Sequence, residues 1–185
     1  SAFALSPLYL NLPKMGKLSS TNPLSAEYKT KQVKLNALPL VEFLEIVNFK
    51  LKYAKALYLE NKEKIFKDKN YLKFYEDNKH WLVSYAAFCY LIDKNGTSDY
   101  SKWGEYSLCD AKKIEKLSSP KQPHFDEIAV NYFIQYHLHL QLSEAAEYAH
   151  QNGIILKGDI PIGVNRNSVD TWVSPELYNM DMQLE

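Results

Sequence analysis

A long helical pattern from His124 to Gln151 stops at Gly153 and runs straight into Ile154-Ile155-Leu156; this constrains the chain more than any other feature. Ile128, Tyr132, Tyr136, Leu140, Ala146 and Ala149 recur at the spacing of one helical face. At ~1.5 Å per residue the helix is about 40 Å long, and Gly153 stands where a left-handed cap is wanted. Helix, glycine, then a short apolar run is the junction that feeds a parallel sheet. The run continues as Lys157-Gly158-Asp159-Ile160-Pro161-Ile162-Gly163-Val164, so one carboxylate lies between the strand and a turn punctuated by glycine and proline. In barrel proteins that position is the mouth of the sheet, where chemistry is kept.

The other elements are helical or irregular. Leu44, Val47, Leu51, Ala54 and Leu57 form an amphipathic stripe, with Pro39 near its start. Trp81, Leu82, Tyr85, Phe88, Cys89 and Ile92 form a second, stopped by Gly96, with a short helix expected before it over 70–75. Residues 13–39, rich in Lys, Ser, Asn and Pro, read as a long loop with a turn of helix near 25–28. Residues 8–12 read as a strand or an extended segment, and 94–123 as irregular. One strand and mostly helix is lopsided for an independent domain, because a parallel strand needs neighbours for its hydrogen bonds. The fold class expected is α/β, an incomplete and predominantly helical piece with few parallel strands. The unpaired edge at 154–156 offers a route to self-association.

Charge narrows the function. Lys plus Arg and Asp plus Glu number 22 each, so the chain lacks the basic footprint of a nucleic-acid binder. Lys62, Lys64, Lys67 and Lys69 are interrupted by Glu60, Glu63 and Asp68, the pattern of a solvated helix end. Cys89 and Cys109 lack metal-site spacing, and Cys89 reads as a small buried hydrophobe. His137 and His139 are two apart on a helix and point away from each other, so no metal site is expected. No run reaches the roughly 18 apolar residues that span a bilayer, and the cytoplasm is the compartment expected.

The segment Asn165-Arg166-Asn167-Ser168-Val169-Asp170-Thr171-Trp172 is dense in groups that hydrogen-bond hydroxyls, and it ends in an aromatic. It suits a carbohydrate site. It also suits a turn and a helix start, since Ser168 and Asp170 are both favoured there. Asp159 could cap nearby backbone, pair with Lys157 or Arg166, or face a ligand. Trp172 and Tyr178 share the spacing of one helical face, which suits a core, and Trp172 could instead stack on a pyranose.

Gly158 to Val164, followed by Asn167-Ser168-Val169-Asp170-Thr171-Trp172 and Pro175-Glu176-Leu177-Tyr178, resembles the 4-α-glucanotransferases of glycoside hydrolase family 77. These are the amylomaltases or disproportionating enzymes. Ser1-Ala2-Phe3-Ala4-Leu5-Ser6-Pro7 resembles the S-A-F-A-x-N-P run that follows the family's first barrel strand, with Ser6 where asparagine is usual. Trp81 to Phe88 and Tyr132 to Leu138 are most similar to the plant-type cytosolic branch.

The resemblance implies a (β/α)8 TIM barrel, of which residues 1–183 are a partial catalytic domain; the closing pair Leu184-Glu185 reads by itself as a cloning tail. It implies transfer of α-1,4-glucan segments between maltooligosaccharides or glucose acceptors with retention, which uses two carboxyls about 5–5.5 Å apart. The family's nucleophile and acid segments, R-I-D-H and E-D-L-G, are not in this sequence, so no catalytic residue is assigned and the chain is expected to be inactive alone. Asp159, Arg166, Asn167 and Trp172 are the substrate-binding residues the resemblance implies, with Asp159 matching a strand-three residue of the donor site. No cofactor is implied; the partners are α-1,4-glucans. A helical carbohydrate-binding or interaction module is the alternative.

Overall fold

Glycines, prolines and capping side chains set the element boundaries in the computed structural model, which describes residues 3–159 and 163–179. The helices are α1 Leu12–Met15, α2 Pro23–Asn36, α3 Phe43–Ile65, α4 Lys69–Asn95, α5 Ala111–Leu117, α6 Phe125–Gln151 and α7 Val169–Val173. Short 3-10 turns lie at Pro7–Tyr9, Tyr100–Lys102, Gly104–Tyr106 and Pro175–Leu177. No strand occurs among the described residues.

The expected strand at 154–156 is therefore corrected. Ile154, Ile155 and Leu156 are 53%, 90% and 54% exposed and in no regular structure. An extended run becomes a strand only by exchanging backbone bonds with another, and the described residues provide none. The helix before it ends as read. Gly153 takes φ +73°, and Ile154 N–H reaches back to Ala149 C=O at 2.9 Å, closing the helix with a left-handed glycine.

The chain divides into two compact units, and α4 and α6 each contribute residues to both. Unit I holds Leu5–Lys73 and Phe133–Ile154; unit II holds Ser1–Ala4, Phe74–Tyr132 and Ile155–Glu185.

In unit I, α2 replaces most of the long loop expected over 13–39. Asn22 caps it, accepting from Leu24 N–H at 3.1 Å, and Pro23 occupies the first turn, where a missing N–H costs least. Glu60 on α3 fastens that entry, accepting from Ser19 N–H at 2.9 Å and Asn22 Nδ2 at 2.8 Å. These bonds, Ser19 N–H first, hold its carboxyl below the usual range. On α3 the buried face is Phe49, Tyr53, Ala54, Leu57 and Tyr58, whereas Leu44 is 81% exposed. The apolar period was in the sequence, but the aromatic residues set its phase.

The segment at 5–11 finds another substitute for a strand partner. Gln135 accepts from Leu5 N–H at 2.9 Å and donates to Leu5 C=O at 2.9 Å. Gln141, two turns along α6, does the same for Asn11, at 2.8 and 3.1 Å. Each carboxamide offers a donor and an acceptor side by side, as a neighbouring strand would. Leu10 and Leu12 are thereby held inside.

His137, also on α6, packs edge-on against Phe133 at 4.4 Å and beside Tyr136 at 5.5 Å. Burial holds its imidazole down to about 4, against the opposing pull of the Asp68 carboxylate. An unfolded histidine titrates at about 6.5, so between that value and about 4 the unfolded chain binds the extra proton. His137 stabilises the fold above the unfolded value, and this contribution is lost as pH falls through the window. We expect on the order of 2 kcal/mol to disappear between pH 7 and pH 4.5. Urea unfolding at the two pH values, compared with His137→Gln, checks it; an equal loss in the variant would contradict the assignment.

In unit II the irregular stretch over 94–123 contains more order than expected. Asp110 caps α5, accepting from Lys113 N–H at 2.9 Å, and Ile114 and Leu117 turn inward three apart. The short helix expected over 70–75 is instead the first part of α4, which runs unbroken to Asn95 before Gly96 at φ +67°. Burial pushes the Cys89 thiol up to about 11, in keeping with its reading as a small hydrophobe.

Candidate functional site

Unit II gathers residues from both ends of the described chain. The Phe3 ring stacks on Trp81 of α4 at 5.9 Å and 18°, and meets His80 edge-on at 6.1 Å. Phe3 remains 62% exposed, so this stack is a shelf with an open side. The Trp81 indole N–H is taken by Asn78 Oδ1 at 3.0 Å, which fixes the ring.

Opposite lies α7. Ser168 begins it with a capping box: its hydroxyl accepts from Thr171 N–H at 3.4 Å, and Ser168 N–H gives to Thr171 Oγ1 at 3.4 Å. Val169, Asp170, Val173 and Ser174 then line one side of a groove of about 280 Å³, with Leu177 and Tyr178 beyond and Phe3, His80, Trp81 and Ser84 on the other. The lining joins apolar and aromatic surface to hydroxyls and one carboxylate, the mixture that recognises a ligand with apolar faces and a polar rim. Among the described residues that line it, Asp170 is the one carboxylate. Retaining glycosidic chemistry uses two.

The residues singled out from sequence fall differently. Asp159 is exposed and borders residues 160–162, which lie outside the described residues. Arg166 and Asn167 are half-buried in the turn entering α7: Thr171 Oγ1 donates to Arg166 C=O at 2.6 Å, and Asn167 N–H to Asn165 Oδ1 at 2.8 Å. None of the three is among the groove's lining residues.

Trp172 is 2% exposed. Phe88 lies 5.5 Å and Trp103 5.7 Å from its ring, and its N–H donates to Tyr106 C=O at 2.9 Å. A ring enclosed in this way presents no face to a sugar. The expectation of Trp172 as a binding residue is corrected: it is the core under the site.

Sequence reasoning passed over Phe3, Trp81 and Ser84. Trp81 read as part of a helical stripe, and Phe3 was visible only as a member of the first motif. Among the described residues no three His, Cys, Asp or Glu side chains gather as metal ligands, and no helix is long and apolar enough to cross a membrane.

The groove sets an open aromatic shelf beside hydroxyls and, among its described lining residues, one carboxylate. Comparison with known proteins gives the family. The model described as 4-alpha-glucanotransferase, glycoside hydrolase family 77, matches residues 1–184, and the chain belongs to that family. It is similar to the 4-alpha-glucanotransferase DPE2 of Oryza sativa subsp. japonica, with 43% identity over 98% of this chain and 19% of the relative. The 4-alpha-glucanotransferases of Chlamydia pneumoniae and Clostridium butyricum are 27% and 28% identical over 99% of this chain, and 36% of each is covered. The chain thus spans about a fifth to a third of the length of these curated relatives. No solved structure was found to match it.

Proposed function

We propose that this chain forms part of the catalytic domain of a 4-α-glucanotransferase, an enzyme that moves α-1,4-glucan segments between maltooligosaccharides or to glucose with retention. The family match over residues 1–184 carries the reading. Its support within unit II is the groove, which brings Phe3 of the first motif beside Val169 to Tyr178 of the last. On this reading the chain contributes helices and one edge of the donor site to a TIM barrel.

Asp159, Arg166 and Asn167 are proposed to orient sugar hydroxyls; the place of Arg166 and Asn167 in the turn entering α7 and the exposure of Asp159 support the role. The two reacting carboxyls are assigned to sequence beyond this chain, since neither family segment that carries them is present. A cytoplasmic location is proposed as well, and the free thiols of Cys89 and Cys109 suit a reducing compartment.

Maltotetraose incubated with the purified chain tests the division of labour. No longer or shorter maltooligosaccharides are expected by chromatography, whereas a chain carrying all the reacting groups would produce a ladder.

A further inference from the structure

Helix α2 lies on unit I with little buried beneath it. Of its 14 residues only Leu24, near the start, is buried, whereas α3 buries five. One aromatic contact follows: Tyr28, half-buried, stacks on Phe49 of α3 at 6.5 Å and 20° and tilts over Tyr53 at 5.6 Å. Past Tyr28 a groove of 420 Å³ separates the helices, with Gln32, Leu35 and Asn36 on one side and Ile46 and Lys50 on the other.

The remaining attachments are polar and lie at the surface. Glu27 pairs with Lys52 at 3.7 Å, and Lys31 with Glu45 at 2.6 Å. Surface ion pairs contribute little, because water and salt screen them. The firm hold is at the entry. One carboxylate, Glu60 of α3, accepts from Ser19 N–H at 2.9 Å, Ser19 Oγ at 3.1 Å and Asn22 Nδ2 at 2.8 Å, and Asn22 in turn caps α2. At the other end, residues 37–42 are in no helix and all exposed, so that turn is free to bend. A segment with few buried apolar contacts and exposed polar ties opens more readily than the core it lies on.

We propose that α2 is a strap: it releases from α3 as one unit while the rest of unit I stays folded, with Glu60 as its latch and residues 37–42 as its hinge. Closed, it covers Phe49 and Tyr53, which are 8% and 6% exposed; open, it bares both rings. The device stands apart from the glucanotransferase reading and does not depend on it.

Hydrogen exchange of the full chain, resolved by peptide mass spectrometry and run without sugar, tests it. Amides at 27–36 should exchange together, about a hundredfold faster than those at 49–58 in α3 and 134–140 in α6, yet slower than an unstructured peptide. Glu60→Ala should speed 27–36 about tenfold further, the loss of a charged hydrogen bond, and leave α6 unmoved. Glu63→Ala, which removes an exposed carboxylate about one turn along the same helix, should change neither. One common rate in α2, α3 and α6 would overturn the proposal. So would an α2 with no protection at all, or a Glu60→Ala chain in which α6 speeds up as much as α2.

Discussion

Replacing Trp172 with alanine is expected to destabilise unit II by about 4 kcal/mol, in the upper range for a buried aromatic. The side chain is enclosed, at 2% exposure, and joins Phe88 and Trp103, themselves 5.0 Å apart, in a three-ring cluster. Alanine would open a cavity that rigid neighbours cannot fill, and Tyr106 C=O would lose its indole donor. Trp172→Phe keeps most of the apolar volume and should cost about half as much, mainly the donor and the poorer fit. Chemical denaturation read from the midpoint at constant slope measures both. Unchanged stability in Trp172→Ala, with sugar binding lost, would restore the ring as a platform and contradict its place in the core.

The second large effect is expected at Gln135. Leucine has a similar size but neither polar atom, so Gln135→Leu leaves the N–H and C=O of Leu5 without the carboxamide that holds them. Gln135 is 2% exposed, and an unsatisfied buried group costs about 1–3 kcal/mol, so the pair should cost about 3 kcal/mol. Gln141 makes the same two bonds in a more exposed setting, where water can replace it. Gln141→Leu should therefore cost no more than about 1 kcal/mol. Hydrogen exchange at the Leu5 amide gives the local readout: fast exchange in Gln135→Leu and slow exchange in the wild type. Equal costs at the two positions would mean that burial is not what makes the Gln135 pair strong.

Elements that depend on local pattern were legible in the sequence. The third helix was expected from His124 to Gln151 and is observed from Phe125 to Gln151, because its apolar period, length and closing glycine all agree. Gly96 and Ser168 likewise do what their positions suggest, one ending a helix and the other starting one. Helix α2 was missed because only Leu24 along it is buried, so there was almost no apolar stripe to find. Its signal was the cap, Asn22 followed by Pro23. The bonds from Gln135 and Gln141 to Leu5 and Asn11 could not be read at all, since each joins residues 130 apart in the chain.

The site was legible in part. Motif order named the family and the stretch around α7, but no local pattern told the enclosed Trp172 from the open Phe3. Both are aromatics in motifs, and tertiary packing alone separates them. The apolar run at 154–156 read as a strand because composition reports what a segment could pair as, whereas pairing needs a partner.

A residue-resolved NMR titration with maltotetraose, on the wild type and on Asp159→Ala, tests the central claim most directly. Amide shifts in the wild type should gather at Asp159, Arg166 and Asn167 and along Val169 to Tyr178, and Asp159→Ala should weaken them by about tenfold, the loss of one charged hydrogen bond or two neutral ones. Shifts absent from all of these residues, or present there and unchanged by Asp159→Ala, would contradict the assignment of this chain as an edge of the donor site.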